Sequence, residues 1–138
     1  MRRIICAGNR CIPGDDVGPR VHDLLVRSAL PPGVDVVDGG LGGLDLADFV
    51  EGMEKVVFVD RVSGLAPPGT TVVLGPRDLA AGAPPPYGHA DGVAYLMHAL
   101  PVLLDGRTPE LALVGFEGEA DDQTVGTVAR AALKAVLE

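Results

Sequence analysis

The sequence predicts an α/β fold: a three-layer α/β/α sandwich around a five-stranded mixed, mostly parallel sheet. Two observations lead there. Short apolar runs of strand length alternate with segments of helical period along the chain, which is the pattern of helices packed on both faces of a sheet. Several of those runs are continuously apolar rather than alternating, as strands buried on both faces must be. No repeat and no linker-like stretch interrupts the 138 residues, so a single domain over 1–138 is expected.

The elements follow in order. "RIICAG" is a short apolar run ending in glycine, the first buried strand. From Asp16 onward, Val17, Val21, Leu24 and Leu25 recur on one helical face, and "PPG" at 31–33 stops that helix. "VDVVD" at 34–38 is the second strand. "GGLGG" turns the chain, and "LDLADFVEGM" reads as a short amphipathic helix. "KVVFVD" at 55–60 is the third strand and "GTTVVL" at 69–74 the fourth. The connection between these two is too short for a helical crossover, so the fourth strand is expected to be antiparallel. Residues 75–89 are rich in Gly, Pro and Ala without a period, and read as a long loop. Val93, Leu96, Met97 and Leu100 then mark a helical face, which Pro101 ends or kinks. "ELALVGF" at 110–116 is the fifth strand. The terminal helix places Val125, Val128, Ala132, Leu133 and Val136 inward.

Composition removes several function classes. Net charge is -8, which disfavours nucleic acid and an anionic membrane surface as partners. Aromatics make up only 4%, so Val, Leu and Ala must fill the core. Cys6 and Cys11 form no CxxC and no disulfide framework. No apolar stretch approaches the ~18 residues of a membrane span. The expected setting is cytoplasmic.

In open α/β sheets, ligands bind beyond the carboxyl ends of the strands. Beyond the first strand lie Asn9, Asp15 and Asp16. Asp38 and Asp60 end the second and third. His89 closes the long loop after the fourth, and Glu117 and Glu119 follow the fifth. Only Arg10, Arg61 and Arg77 stand ready to neutralise these acids. Two carboxylates and an imidazole, Asp16, Asp60 and His89, form a donor set for a divalent cation with positions left open. Each has a structural alternative: Asp16 as a helix cap, Asp60 as a strand-end acid bonded to backbone N–H groups, and His89 as a loop residue. His22 and His98 lie within helices and read as structural. A dinucleotide loop is disfavoured, because Pro13 lacks an N–H and Asp15 and Asp16 would repel phosphates. Ser28 and Ser63 lie in no GxSxG, and Cys11 has no evident base.

"AGNRCIPGDDVGPRV", "VDVVDGGLGGLDLADFV", "KVVFVDRVSGLAPPGTTVVL", "YGHADGVAYLMHAL" and "PELALVGFEGE" together cover nearly the whole chain. In order and spacing they resemble the hydrogenase maturation endopeptidases. The resemblance implies a protease that trims a C-terminal extension from the nickel-loaded precursor of the [NiFe] hydrogenase large subunit. It implies that Asp16, Asp60 and His89 bind the metal, with nickel supplied by the substrate or another divalent cation in its place. Asp38, at the neighbouring strand end, would polarise water, hold the substrate backbone or tie down the glycine turn. The loop before His89 is expected to move when substrate docks. Three positions depart from the family pattern: Cys6 for a glycine, Leu41 for a threonine and Arg61 for a small residue. With no side-chain nucleophile evident, they support an alternative, a non-proteolytic metal- or precursor-binding chaperone.

Overall fold

Five strands form one sheet in the order β2-β1-β3-β5-β4 in the structure, a computed structural model that describes residues 1–81 and 92–138. They are β1 (Arg2–Ala7), β2 (Val34–Gly40), β3 (Lys55–Val62), β4 (Thr71–Leu74) and β5 (Glu110–Glu117). β1 pairs parallel with β2 and β3, and β3 pairs parallel with β5. The central position of β3 explains its run of β-branched and aromatic residues: Val56, Val57, Phe58 and Val59 have no exposed surface. β4 is antiparallel as expected, but its partner is β5 rather than the preceding strand.

One face of the sheet carries Ile4, Cys6, Val57, Val59 and Phe116. It packs on α1 (Val17–Val26) and α5 (Asp122–Leu137). The other face carries Ile5, Val56, Phe58 and Val62. It packs on α2 (Ala47–Val50), α3 (Pro76–Ala81) and α4 (Val93–Leu103). The three-layer sandwich read from the sequence is therefore the fold.

Three elements differ in detail from the sequence reading. The amphipathic segment after the glycine turn splits into a 3-10 turn, Leu44–Leu46, and a single turn of α-helix, which Gly52 in the left-handed region helps to end. The stretch from 75 begins with a helix instead of a loop. Pro76 suits the first helical position, the Gly75 N–H donates to Asp78 Oδ2 at 2.8 Å, and Leu79 is buried in the core. The rest of that stretch, His89 included, lies outside the described residues. Pro101 does not end α4, which runs on to Leu103.

Candidate functional site

The carboxyl edge of the parallel strands gathers the chain's chemistry. Two glycines let α1 start hard against the end of β1. A Cβ on Gly18 would collide with the Ala7 carbonyl, and Gly8, at φ +146°, would place one 2.5 Å from the Asp15 carbonyl oxygen. Between them the loop closes on itself. The Asn9 N–H donates to the Asp15 carbonyl at 2.9 Å and to Asp15 Oδ2 at 3.2 Å, and Asn9 Oδ1 accepts from the Cys11 N–H at 2.8 Å. Gly8 N–H donates to the Gly40 carbonyl at 2.7 Å, tying the loop to the end of β2. Asn9 is thus the brace of the loop.

The acids of the rim divide by what they touch. Asp60 lies two residues beyond Phe58, on the α4 face, and keeps part of its surface open. Burial pushes its carboxyl up to about 7. The Arg61 N–H, donating to Oδ1 at 2.8 Å, works against that, and the charge of Asp15 adds to it. Among the first-loop acids it is therefore Asp15 whose field reaches Asp60. Asp16 occupies the N-cap position of α1 but makes no side-chain cap hydrogen bond, so the capping role the sequence allowed it is not what its carboxylate does.

Asp38 faces the opposite side of the sheet. It accepts from Arg10 Nη2 at 2.9 Å and from the Gly40 N–H at 2.9 Å. Burial pushes its carboxyl up, but Arg10 and the Gly40 N–H together outweigh that and hold it below the usual carboxylate range. Arg10 also forks onto Asp23 of α1 at 2.7 and 2.9 Å, holding that acid well below its usual range with help from His22. Glu117 spends its carboxylate on the β3–β4 connection, accepting from the Gly64 N–H at 2.6 Å. The side chain of Glu119 lies against Gly14 of the first loop.

Asp15 is thus the loop acid whose charge bears on Asp60, while Asp38 stands with Arg10. Because β4 runs backwards, its carboxyl end points away from this rim, so the strand-end rule does not by itself bring His89 here. The start of α4 does lie at the rim: Gly42, next to Leu41, sits against both Ala7 and Val93. Among the described residues, no three His, Cys, Asp or Glu side chains are grouped closely enough to hold a metal ion. Asp23 was missed from the sequence because a polar residue on a helix carries no local mark of a partner 13 positions away. Cys6 is fully buried, and burial first, then the surrounding acids, pushes its thiol up, so it is no nucleophile.

Fold and rim define a three-layer α/β domain with a desolvated carboxyl group, Asp60, at the carboxyl edge of its sheet. The family model HycI, hydrogenase maturation protease, matches residues 19–137, and the chain belongs to that family. Solved structures agree. The hydrogenase maturating endopeptidase HybD from Escherichia coli is 25% identical, with a TM-score of 0.70, covering 99% of this chain and 89% of that one. The hydrogenase 2 maturation peptidase from Thaumarchaeota archaeon SCGC_AB-539-E09 is 31% identical, with a TM-score of 0.56, covering 99% and 95%. An endopeptidase from Escherichia coli is 27% identical, with a TM-score of 0.71, covering 99% and 90%. No curated protein matches by sequence. The expectation of a maturation protease is borne out at the level of the family.

Proposed function

We propose that this chain removes a C-terminal extension from the nickel-loaded precursor of a [NiFe] hydrogenase large subunit, in the cytoplasm. Nickel is here part of the substrate, and Asp60, His89 and an acid of the β1–α1 loop engage it. The observation that carries the reading is Asp60 itself. A carboxyl group that burial pushes up to about 7, with the charge of Asp15 adding to the shift, gains from a cation that takes the place of its proton. The donor set of oxygens and one imidazole suits a borderline divalent ion.

The same coupling favours Asp15 over Asp16 as the loop ligand, since Asp15 is the acid whose charge Asp60 feels. Asn9 and Gly8 hold that loop, and Asp60 can hold or release a proton near neutral pH, as a general acid or base must. A cation at the site would polarise the scissile carbonyl or a water. Exposed Ile12 and Leu41, in the loops after β1 and β2, offer apolar surface to the incoming chain. No described helix is long and apolar enough to cross a membrane.

The test is mass spectrometry of the nickel-loaded precursor incubated with the chain or with H89A. Loss of a C-terminal peptide that requires both nickel and His89 is the expected result. An intact precursor after incubation with the folded wild-type chain would overturn the reading.

A further inference from the structure

We propose that Arg10 is a positioning residue of this site: one guanidinium ties the β1–α1 loop to α1 through Asp23 and to β2 through Asp38, and so sets where the Asp15 carboxylate stands. The inference rests on the functional reading above.

The geometry is specific. Nη1 donates to Asp23 Oδ2 at 2.7 Å, and Nη2 donates to Asp23 Oδ1 at 2.9 Å and to Asp38 Oδ2 at 2.9 Å. The first pair is a fork-to-fork contact, which fixes direction as well as distance. Isolated surface ion pairs add little, but bidentate pairs joined into a network are the exception, and here both acids lie on regular elements. Asp23 is within α1 and Asp38 within β2. Arg10 is the member that belongs to the loop. The rest of the loop is held mainly by its own hydrogen bonds between Asn9, Ile12 and Asp15 and by one bond from Gly8 to Gly40. Those fix its internal shape. The Arg10 side chain fixes that shape relative to the helix and the second strand.

A second consequence concerns Asp38. Its carboxylate is already engaged by Arg10 and the Gly40 N–H, and it is on the far face of the sheet from Asp60. Its contribution to the reaction therefore runs through the loop, as the anchor for Arg10. Lysine cannot reproduce this arrangement, because a single ammonium cannot fork onto Asp23 while holding Asp38.

The experiment compares wild type, R10A, R10K and R10A/D23A, each at a temperature where circular dichroism shows it fully folded. Cleavage of the nickel-loaded precursor and amide hydrogen exchange are both followed. R10A is expected to lower kcat/KM about tenfold, R10K to recover part of that, and R10A/D23A to be no worse than R10A. The amides of Asn9, Cys11, Ile12 and Asp15 are expected to exchange at least tenfold faster in R10A, with those of β3 unchanged. A kcat/KM for R10A within twofold of wild type, or loop amides exchanging at the wild-type rate, would overturn the proposal. If the wild-type chain leaves the precursor intact, the protease reading falls, and hydrogen exchange alone decides the role of Arg10.

Discussion

Asp38 and Asp60 stand on opposite faces of the sheet with one strand between them: Cys6 of β1 pairs with Asp38 on one side and with Val59, the neighbour of Asp60, on the other. The two acids look equivalent in the sequence, each ending a strand, yet they project from opposite faces. Their variants should separate. D60N is expected to reduce precursor cleavage at least 100-fold without loss of fold. D38N is expected to cost about tenfold, together with a small loss of stability from the weakened Arg10 pair. Equal losses of activity in the two variants, measured by the rate of appearance of the trimmed subunit, would contradict this division.

Asp60 also couples function to stability. Its folded-state pKa of about 7 lies above the unfolded value of 3.8, so the folded chain holds the extra proton between those limits. Stability contributed by the protonated acid is therefore lost as pH rises from about 4 to 7. A shift of this size corresponds to at most about 4 kcal/mol, and partial access to water reduces it to about 1–2 kcal/mol. D60N escapes the loss, so its advantage over wild type in urea unfolding should be near zero at pH 4 and reach that value by pH 8. An advantage that does not change with pH would show that Asp60 is not desolvated as described.

Acidic conditions act in the other direction through other carboxyls. Asp23 and Asp38 are held low by Arg10, and Asp35 by Arg3, whose Nε and Nη2 donate to its two oxygens at 2.8 Å each. Their stabilisation is present above the unfolded carboxylate pKa of about 4 and is lost as pH falls below it. With Asp60 opposing from above, wild type should be most stable near pH 5. A midpoint in urea that rises steadily from pH 5 to 8 would be the contrary outcome.

The two loop acids should differ as well. Asp15 acts on Asp60 and is gripped by Asn9, whereas Asp16 occupies a cap position without capping. D15N is expected to lower cleavage at least 50-fold, and D16N no more than about fivefold, with melting temperatures within a few degrees of wild type. The reverse order would favour Asp16 as the acid of the loop that engages the metal.

Most of the architecture was legible because burial writes itself into sequence. A strand covered on both faces, such as β3, must be apolar without alternation, and α1 and α5 must repeat their apolar residues with helical period. The antiparallel fourth strand followed from a connection too short to cross the sheet. The helix Pro76–Ala81 was not legible, since Gly, Pro and Ala around it mask one turn and a half of helix that Leu79 anchors in the core. At the site, strand ends pointed to the rim where Asp15, Asp38 and Asp60 lie, and to Arg10 as a neutralising group. Which acid faces which side depends on strand register and loop closure, and neither leaves a local mark. The bond from Asn9 that sets Asp15 apart from Asp16 arises from loop closure, and the separation of Asp38 from Asp60 arises from the pairing of β1 with both neighbours.

Gly18 gives the last prediction, because it joins fold to site at one point. Its α-carbon approaches the Ala7 carbonyl so closely that any side chain would displace either α1 or the end of β1. Both neighbours are backbone, so neither can yield by a rotamer change, and the helix that would have to move is packed through Val17, Val21 and Leu25 into the core. G18A is expected to cost about 2–4 kcal/mol, near the upper end for overpacking, and to lower the melting temperature accordingly. Where the variant remains folded at low temperature, α1 must have shifted away from β1. Asp15 and Asp16 precede that helix directly and move with it. Cleavage should then fall by at least tenfold even in the folded fraction, a loss that stabilising substitutions elsewhere would not restore. A G18A chain with wild-type melting temperature and wild-type cleavage would show that the close contact between helix and strand is not what places the loop.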